Sequence, residues 1–441
     1  MNELRPGATI RSREREIDRT IIRLGLPALG TLAVEPLYRI VDTAIVGRLG
    51  TDQLAGLAVA AALLSLVLAG SNFLTYGTTE RVARRLAARD SAGAAVVGVQ
   101  AVWLAGAVAA AVTPVVIVAA RALVEALGAS GDAADHATTY LRISALGIPC
   151  VVFALAVQGT QRGAADFRTP LVILVGSNVV NLVLAPLMVF ALDLGIAGAA
   201  WSTVIAQLAA ALAFALAART RLAGASSFRP SWTEMAPLVT AGRHLLLRVG
   251  SMLAVFTGAT AIAARIDDDT LAAHQVAMTL FTFLALVLDA LSVQAQTLVA
   301  DDLGRRGGDS ALLARRVTVL SVAAGAAIAV VLALAAPWLP AVFSGDGDVR
   351  STATTALLLL AVAQLPAAVA FAGDGVLIGA GDYRFLGRAA FAYLVAVAPI
   401  GIVVLANPQL GIAGVWVGLV VWMVVRAVVN TWRVRRLLPS P

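Results

Sequence analysis

Lysine is missing altogether from this 441-residue chain, cysteine occurs once, histidine three times, and charged residues make up only 13%. The single thiol, Cys150, excludes an internal disulfide and leaves neither a thiolate-rich metal site nor a redox pair. His136, His244 and His274 are scattered, and there is no clustered set of acidic ligands and no sizeable extramembrane stretch, which speaks against an integral-membrane enzyme. His136 and His244 read as loop or helix-end residues. Aromatic residues are also few, at 6%. What fills the chain is aliphatic: 60% of it is hydrophobic and its mean hydropathy is +0.88, values that a soluble domain of this length does not sustain. All 33 basic residues are arginine and the net charge is +7. They lie in short loops between apolar runs rather than on a folded soluble face, so no nucleic-acid partner is expected.

Apolar runs long enough to cross a hydrocarbon core of roughly 30 Å recur down the whole sequence. Twelve spans are expected, at 22–47, 54–79, 94–119, 138–160, 170–191, 196–218, 238–264, 271–299, 317–337, 352–378, 389–406 and 411–432. The charged stretch 1–20 has no cleavage site after a short apolar run and is expected to be a retained cytoplasmic tail. Six spans then form a first lobe (21–218), a polar Arg/Ser/Pro-rich linker follows (219–236), six more spans form a second lobe (237–433), and 434–441 is a short tail. With the N-terminus inside, only Arg48, Arg121, Arg265 and Arg350 fall on the outer side, and Arg39, Arg142 and Arg426 lie within spans. The remaining arginines sit in or beside inner loops, so the positive-inside rule places both termini in the cytoplasm of a multi-pass protein of the inner (plasma) membrane.

The two halves resemble each other. At an offset of 217 residues Arg48, Leu54, Ala55, Val59 and Leu86 match Arg265, Leu271, Ala272, Val276 and Leu303. At 216, Gly159, Gly163, Ala164, Asp166 and Arg168 match Gly375, Gly379, Ala380, Asp382 and Arg384, and LGIAG at 194–198 recurs at 410–414. Six spans per repeat return the chain to the same side. The halves therefore share an orientation, and a pseudo-two-fold axis along the membrane normal is expected, with a substrate cavity between the lobes near the midplane. The paired motifs GTQRGAADFR and GVLIGAGDYR read as close helix packing followed by a charged, capped turn.

Costly polar groups mark the candidate site. In EPLYRIVDTAIVGRLG (35–50), Glu35, Arg39 and Asp42 project within about 60° of one another on a helix. A charge near the bilayer centre costs about 2.5 kcal/mol or more, so this stripe faces protein or a wet cavity. Arg39 can compensate only one of the two carboxylates, which leaves the other to be protonated or paired elsewhere. A static ion network that merely holds the helix is the alternative. Asn178 and Asn181 stand one turn apart in the fifth span, either as ligands or as helix-to-helix hydrogen bonders. In the second half, Asp289 and Asp374, with Gln294, Gln296 and Gln364, lie in apolar spans. The glycines flanking Asp374 suggest a loosened helix and a carboxylate open to a cavity, as a second protonatable site or an attractor of cations, with pairing to a neighbouring helix as the alternative. His274 titrates near neutral pH when exposed, or serves as a structural hydrogen bonder. Trp103, Trp201, Trp338, Trp416, Trp422 and Trp432 read mostly as interface anchors. Tyr38, Phe73, Tyr76, Phe153, Phe256, Met278 and Phe281 are candidates to line an apolar cavity for organic cations, with ordinary helix packing as the alternative.

Read in order, EPLYRIVDTAIVGRLG with LAGLAVA, QGTQRGAADFRTP, NVVNLVLAPLMVF, LGIAGAAWSTVIAQ, LDALSVQAQTLVADDLG and DGVLIGAGDYR resembles the multidrug and toxic compound extrusion (MATE) family, in particular its DinF-like branch. The resemblance covers 18–435. It implies an all-α membrane protein of twelve transmembrane helices in two six-helix lobes, alternating access, and export of organic compounds driven by inward flow of H⁺ or Na⁺. It also implies that Asp42 takes up the coupling cation, with Asn181 and Thr203 as partners. Where many relatives carry a second Asp in the fifth helix, this chain has Ala185; one anionic ligand fewer favours H⁺ over Na⁺. The expected activity is therefore H⁺-coupled export of amphipathic, cationic small molecules by a monomer that needs no cofactor beyond its coupling ion. A Na⁺-coupled version is the first alternative and a flippase of lipid-linked precursors the second.

Overall fold

In lipid, a spanning segment satisfies its backbone polar groups within itself only as a helix, and the apolar runs form helices. The structure, a computed structural model, describes residues 10–439, with the side chains of 10–12, 35 and 37–41 outside that description. Among the described residues there are fourteen α-helices: α1 Ile10–Val46, α2 Thr51–Ser71, α3 Phe73–Ala87, α4 Ser91–Ala126, α5 Gly131–Ala145, α6 Ile148–Gly163, α7 Arg168–Pro186, α8 Gly195–Leu222, α9 Trp232–Ile266, α10 Asp268–Arg305, α11 Ser310–Ala335, α12 Gly347–Gly379, α13 Tyr383–Ala406 and α14 Gly411–Leu437. Among the described residues there is no strand.

Among the described residues ten segments are long and apolar enough to cross a membrane, with α2 and α3 counting as one, and α5 with α6 forms an eleventh that bends by 49°. The remaining expected span is α1, whose interior carries Glu35, Arg39 and Asp42. The bend between α5 and α6 falls at Leu146–Gly147, just before Pro149, which cannot donate into the preceding turn. After Pro186, α7 ends in a π-turn at Leu187–Ala191. Acidic caps fix several helix starts: Asp90 accepts from Gly93 N at 2.7 Å and Asp267 from Thr270 N at 2.6 Å.

The chain divides into two compact units. One is Gly30–Gly242; the other is Met1–Leu29 with Arg243–Pro441. The division therefore falls inside α1 and α9 rather than at the expected linker 219–236. The reason is packing. Ile17 and Ile21 on the first part of α1 join a core with Ala295, Leu298, Leu313 and Val317, while Arg316 on α11 pairs with Asp18 through Nε at 2.9 Å. Gln294 donates to the Leu24 carbonyl at 3.2 Å. The linker itself is tied to the first unit, with Trp103 Nε1 donating to Phe228 O at 2.9 Å and Gln100 Nε2 to Arg229 O at 2.8 Å.

Within each unit the paired glycines do the same work. A Cβ on Gly159 or Gly163 of α6 would lie 2.8 Å from the carbonyl oxygen of Thr75 or Thr79 on α3. In the other unit a Cβ on Gly375 of α12 would run into the Ser292 carbonyl oxygen, and one on Gly379 would lie 2.5 Å from that of Gln296, both on α10. Ser292 and Gln296 are Thr75 and Thr79 displaced by 217, so the duplicated sequence builds a duplicated helix crossing in which only glycine lets the backbones meet. Asp166 then caps α7 through Thr169 N at 3.1 Å and binds Arg221 at 3.1 Å, whereas its counterpart Asp382 binds Arg433 at 2.6 Å without capping α13.

Some expectations need correction. Trp416 and Trp422 are 2% and 1% exposed and belong to the second unit's core, so they are not interface anchors, while Trp103, Trp201, Trp338 and Trp432 are exposed. His244 lies well inside α9 rather than in a loop or at a helix end, and Arg142, in the last turn of α5, is exposed.

Candidate functional site

In the unit Gly30–Gly242, buried polar side chains meet in two groups, Asp42 of α1 with Tyr140 of α5, and Asn181 of α7 with Ser202 and Thr203 of α8. Asp42 on α1 is 4% exposed, and Tyr140 on α5 donates its hydroxyl to Asp42 Oδ2 at 3.0 Å. Asp42 Oδ1 is buried and, among the described residues, has no hydrogen-bond partner. Such an atom is expensive as part of an ion and receptive to a proton or a cation. Ser202 and Thr203 on α8 each donate to the Ala199 carbonyl, at 2.8 and 3.0 Å. Their lone pairs then accept from the Asn181 amide at 3.3 and 3.4 Å. Ala185, fully buried on the same helix as Asn181, adds no second acid.

The expected partners thus split. Asn181 and Thr203 do meet, but the described hydrogen bond on Asp42 comes from Tyr140. Asn178 donates to the Val34 carbonyl at 3.2 Å, eight residues from Asp42 and so about 12 Å along α1. It ties α7 to α1 rather than serving the carboxyl. The side chains of Glu35, Tyr38 and Arg39 lie outside the described residues. Tyr140 was not singled out from the sequence; its signal was slight, one of five tyrosines in the chain, placed inside a span.

The unit Arg243–Pro441 buries a different arrangement. Asp374 on α12 is 3% exposed, and its Oδ2 accepts from Arg248 on α9 at 2.5 Å and from Arg426 on α14 at 2.8 Å. Asn430 donates to Oδ1 at 2.8 Å, and Tyr393 on α13 donates to Asn430 Oδ1 at 3.0 Å. The Arg426 guanidinium also lies over the Trp422 ring, 4.6 Å from its centroid. The expectation of a loosened helix with an open carboxylate fails: α12 is continuous through Asp374, and the flanking glycines serve close packing, Gly373 against Asn430 and Gly375 against Ser292. Two guanidiniums face this carboxylate, so Asp374 is paired with neighbouring helices, the alternative that the sequence left open.

Asp289 is half-buried on α10. His274 is fully buried, with Nε2 3.1 Å from Thr260 Oγ1 and its ring 5.9 Å from that of Trp416. The Thr260 hydroxyl donates to Phe256 O at 3.0 Å, which assigns the imidazole proton to Nε2 and gives this histidine the role of a structural donor. Of the aromatic candidates, Phe256, Met278 and Phe281 come together with Trp416, Trp422 and Met423 around a narrow apolar crevice of about 10 Å³, room for a single water molecule. Phe256 stacks edge-on against Trp422 at 5.3 Å. Phe73 and Phe153 instead pack into two separate apolar clusters of the other unit, and Tyr76 is half-buried on α3.

The sequence model of the family described as MatE matches residues 27–187 and 247–405. The chain is 30% identical to "Protein DETOXIFICATION 44, chloroplastic" of Arabidopsis thaliana over 95% of this chain and 82% of that protein. It is 28% identical to "DNA damage-inducible protein F" of Escherichia coli (strain K12), covering 94% of this chain and 92% of the relative. A solved structure described as "Crystal structure of MATE in the bent conformation" superposes with a TM-score of 0.88 at 22% identity, covering 96% of each chain. At that identity the likeness speaks for the fold.

Proposed function

Because the chain belongs to the MatE family of multidrug and toxic-compound efflux transporters, and is thus no enzyme, we propose that it exports amphipathic organic compounds in exchange for H⁺, with Asp42 carrying the coupling proton. The observation behind this is the state of that carboxyl: buried, held on one oxygen by Tyr140, and without a described partner on the other. A proton arriving at Oδ1 neutralises the group. The hydrogen bond from Tyr140 to Oδ2 then changes from charge-assisted to neutral, roughly halving in strength, and the tie between α1 and α5 loosens. Loss of the proton restores it. Two states of α1, biased by one proton, are the element an exchange cycle by alternating access requires. The arginine bias supports an inner-membrane protein with both ends in the cytoplasm.

Ala185 is the reason to favour H⁺ over Na⁺, since a dehydrated metal cation wants several oxygen ligands and the described donor to Asp42 is a hydroxyl proton. The test is flux in proteoliposomes: substrate added to one side should move protons, and Asp42→Asn should abolish that movement. An Asp42→Asn protein with undiminished exchange rules the role out.

A further inference from the structure

One end of α13, on the side that the arginine bias places in the cytoplasm, gathers basic residues that neither the packing nor the coupling site uses. There α9 and α13 cross at a separation only glycine permits, for a Cβ on Gly387 would lie 2.6 Å from the His244 carbonyl oxygen and 3.1 Å from its Cα. Arg243 precedes His244 on α9, and Arg384 and Arg388 bracket Gly387 on α13. All three arginines are exposed, and the charge of each bears on His244. Among the described residues none of the three has an ion-pair or hydrogen-bond partner.

Their position is unfavourable unless an anion joins them. Arg384 and Arg388 occupy the first two turns of a 24-residue helix, where the helix dipole and the open N–H groups repel cations and attract anions. No acidic residue lies in that first turn, and Asp382, which could have capped it, is turned to Arg433. Topology alone does not demand the surplus, and the internal duplication serves as a control. At the same offsets, the first half has Leu26, Arg168 and Val172 in place of Arg243, Arg384 and Arg388, and there Asp166 caps its helix.

The surroundings fix the depth. Trp432 on α14 is 45% exposed, lies 6.5 Å from the Phe385 ring and carries the Arg436 guanidinium 4.3 Å above it, the arrangement of an interfacial anchor. Beyond the arginines the same stripe of α13 turns apolar. Phe391, Val395 and Ile402 fall within about 60° of Arg384 and Arg388 around the helix, and they are 52%, 54% and 66% exposed. A basic head followed by an exposed aliphatic stripe matches a molecule with a phosphate and acyl chains. We propose that the crossing of α9 and α13 binds the phosphate of an anionic phospholipid headgroup, with Arg243, Arg384 and Arg388 as its ligands.

This proposal is independent of the coupling assignment. The test is native mass spectrometry of the full-length, detergent-purified protein titrated with phosphatidylglycerol or phosphatidylcholine. Wild-type protein should retain phosphatidylglycerol preferentially, and Arg243→Gln/Arg384→Gln/Arg388→Gln should bind it about tenfold more weakly or worse, three surface arginines being removed. The corresponding triple lysine variant should keep most of the binding, which shows that a loss is not misfolding. Removing equal charge elsewhere on the same side, with Arg89→Gln/Arg219→Gln/Arg315→Gln, should leave it unchanged. Equal loss in that control, or wild-type binding by the first variant, overturns the site. Inorganic phosphate that displaces the lipid at equal concentration overturns the assignment to a lipid.

Discussion

Four carboxylates are buried among the described residues, and three of them are provided for. Glu80 has Arg84, Asp374 has Arg248 and Arg426, and Asp302 accepts from Ser310 Oγ and Asp309 N. Asp42 keeps an oxygen without a described partner. Substitutions should therefore separate by role. Tyr140→Phe removes one donor worth about 1–2 kcal/mol, so it should fold and transport several-fold more slowly in a proteoliposome uptake assay. Asp374→Asn leaves the buried Arg426 guanidinium without its counter-charge; a loss of about 3–5 kcal/mol is expected, seen as a lower thermal unfolding temperature and poor accumulation in the membrane. Asp42 was legible in the sequence because a charge in an apolar run is conspicuous. Tyr140 was not, since a tyrosine in a span ordinarily reads as packing. Arg248 was not either, because along the chain it groups with the inner arginines, and only the approach of α9 to α12 carries its guanidinium to Asp374.

At the level of the elements, the glycine motifs are the strongest constraint. Gly159→Leu and Gly375→Leu should both prevent the chain from accumulating in folded form, measured by size-exclusion profile, because each side chain would enter the partner helix's backbone. The two substitutions should behave alike, since the crossings are duplicates. Asp90 offers a pH-dependent check. It lies between α3 and α4, and the hydrogen bond from Arg85, then that from Gly93 N, holds its carboxyl below the usual value of 3.8. Its cap of α4 is thus present above about pH 4 and fades as the pH falls through the lower folded-state value. Asp90→Ala should cost about 1 kcal/mol at neutral pH and less in acid, read from thermal unfolding across that range. The spans themselves were legible from hydropathy. The break at Asn72 and the 49° bend before α6 were not, because a helix interruption inside an apolar run leaves the run's composition unchanged.

For the whole molecule, the duplication is the most informative feature of the sequence, since one pair of offsets relates the glycine crossings of both units. The places where the units divide were hidden. Composition marks the polar stretch 219–236 as a boundary, but Ile17, Ile21 and Asp18 assign the first part of α1 to the second half through contacts that no local pattern announces. The coupling ion is the property on which the functional account turns. The direct measurement is substrate counterflow in proteoliposomes under a H⁺ gradient alone and under a Na⁺ gradient alone, for the wild type and for Asp42→Asn. The account predicts uptake driven by the H⁺ gradient without Na⁺, and its disappearance in Asp42→Asn. Strict dependence on Na⁺, or H⁺-driven uptake by Asp42→Asn at the wild-type rate, would contradict it.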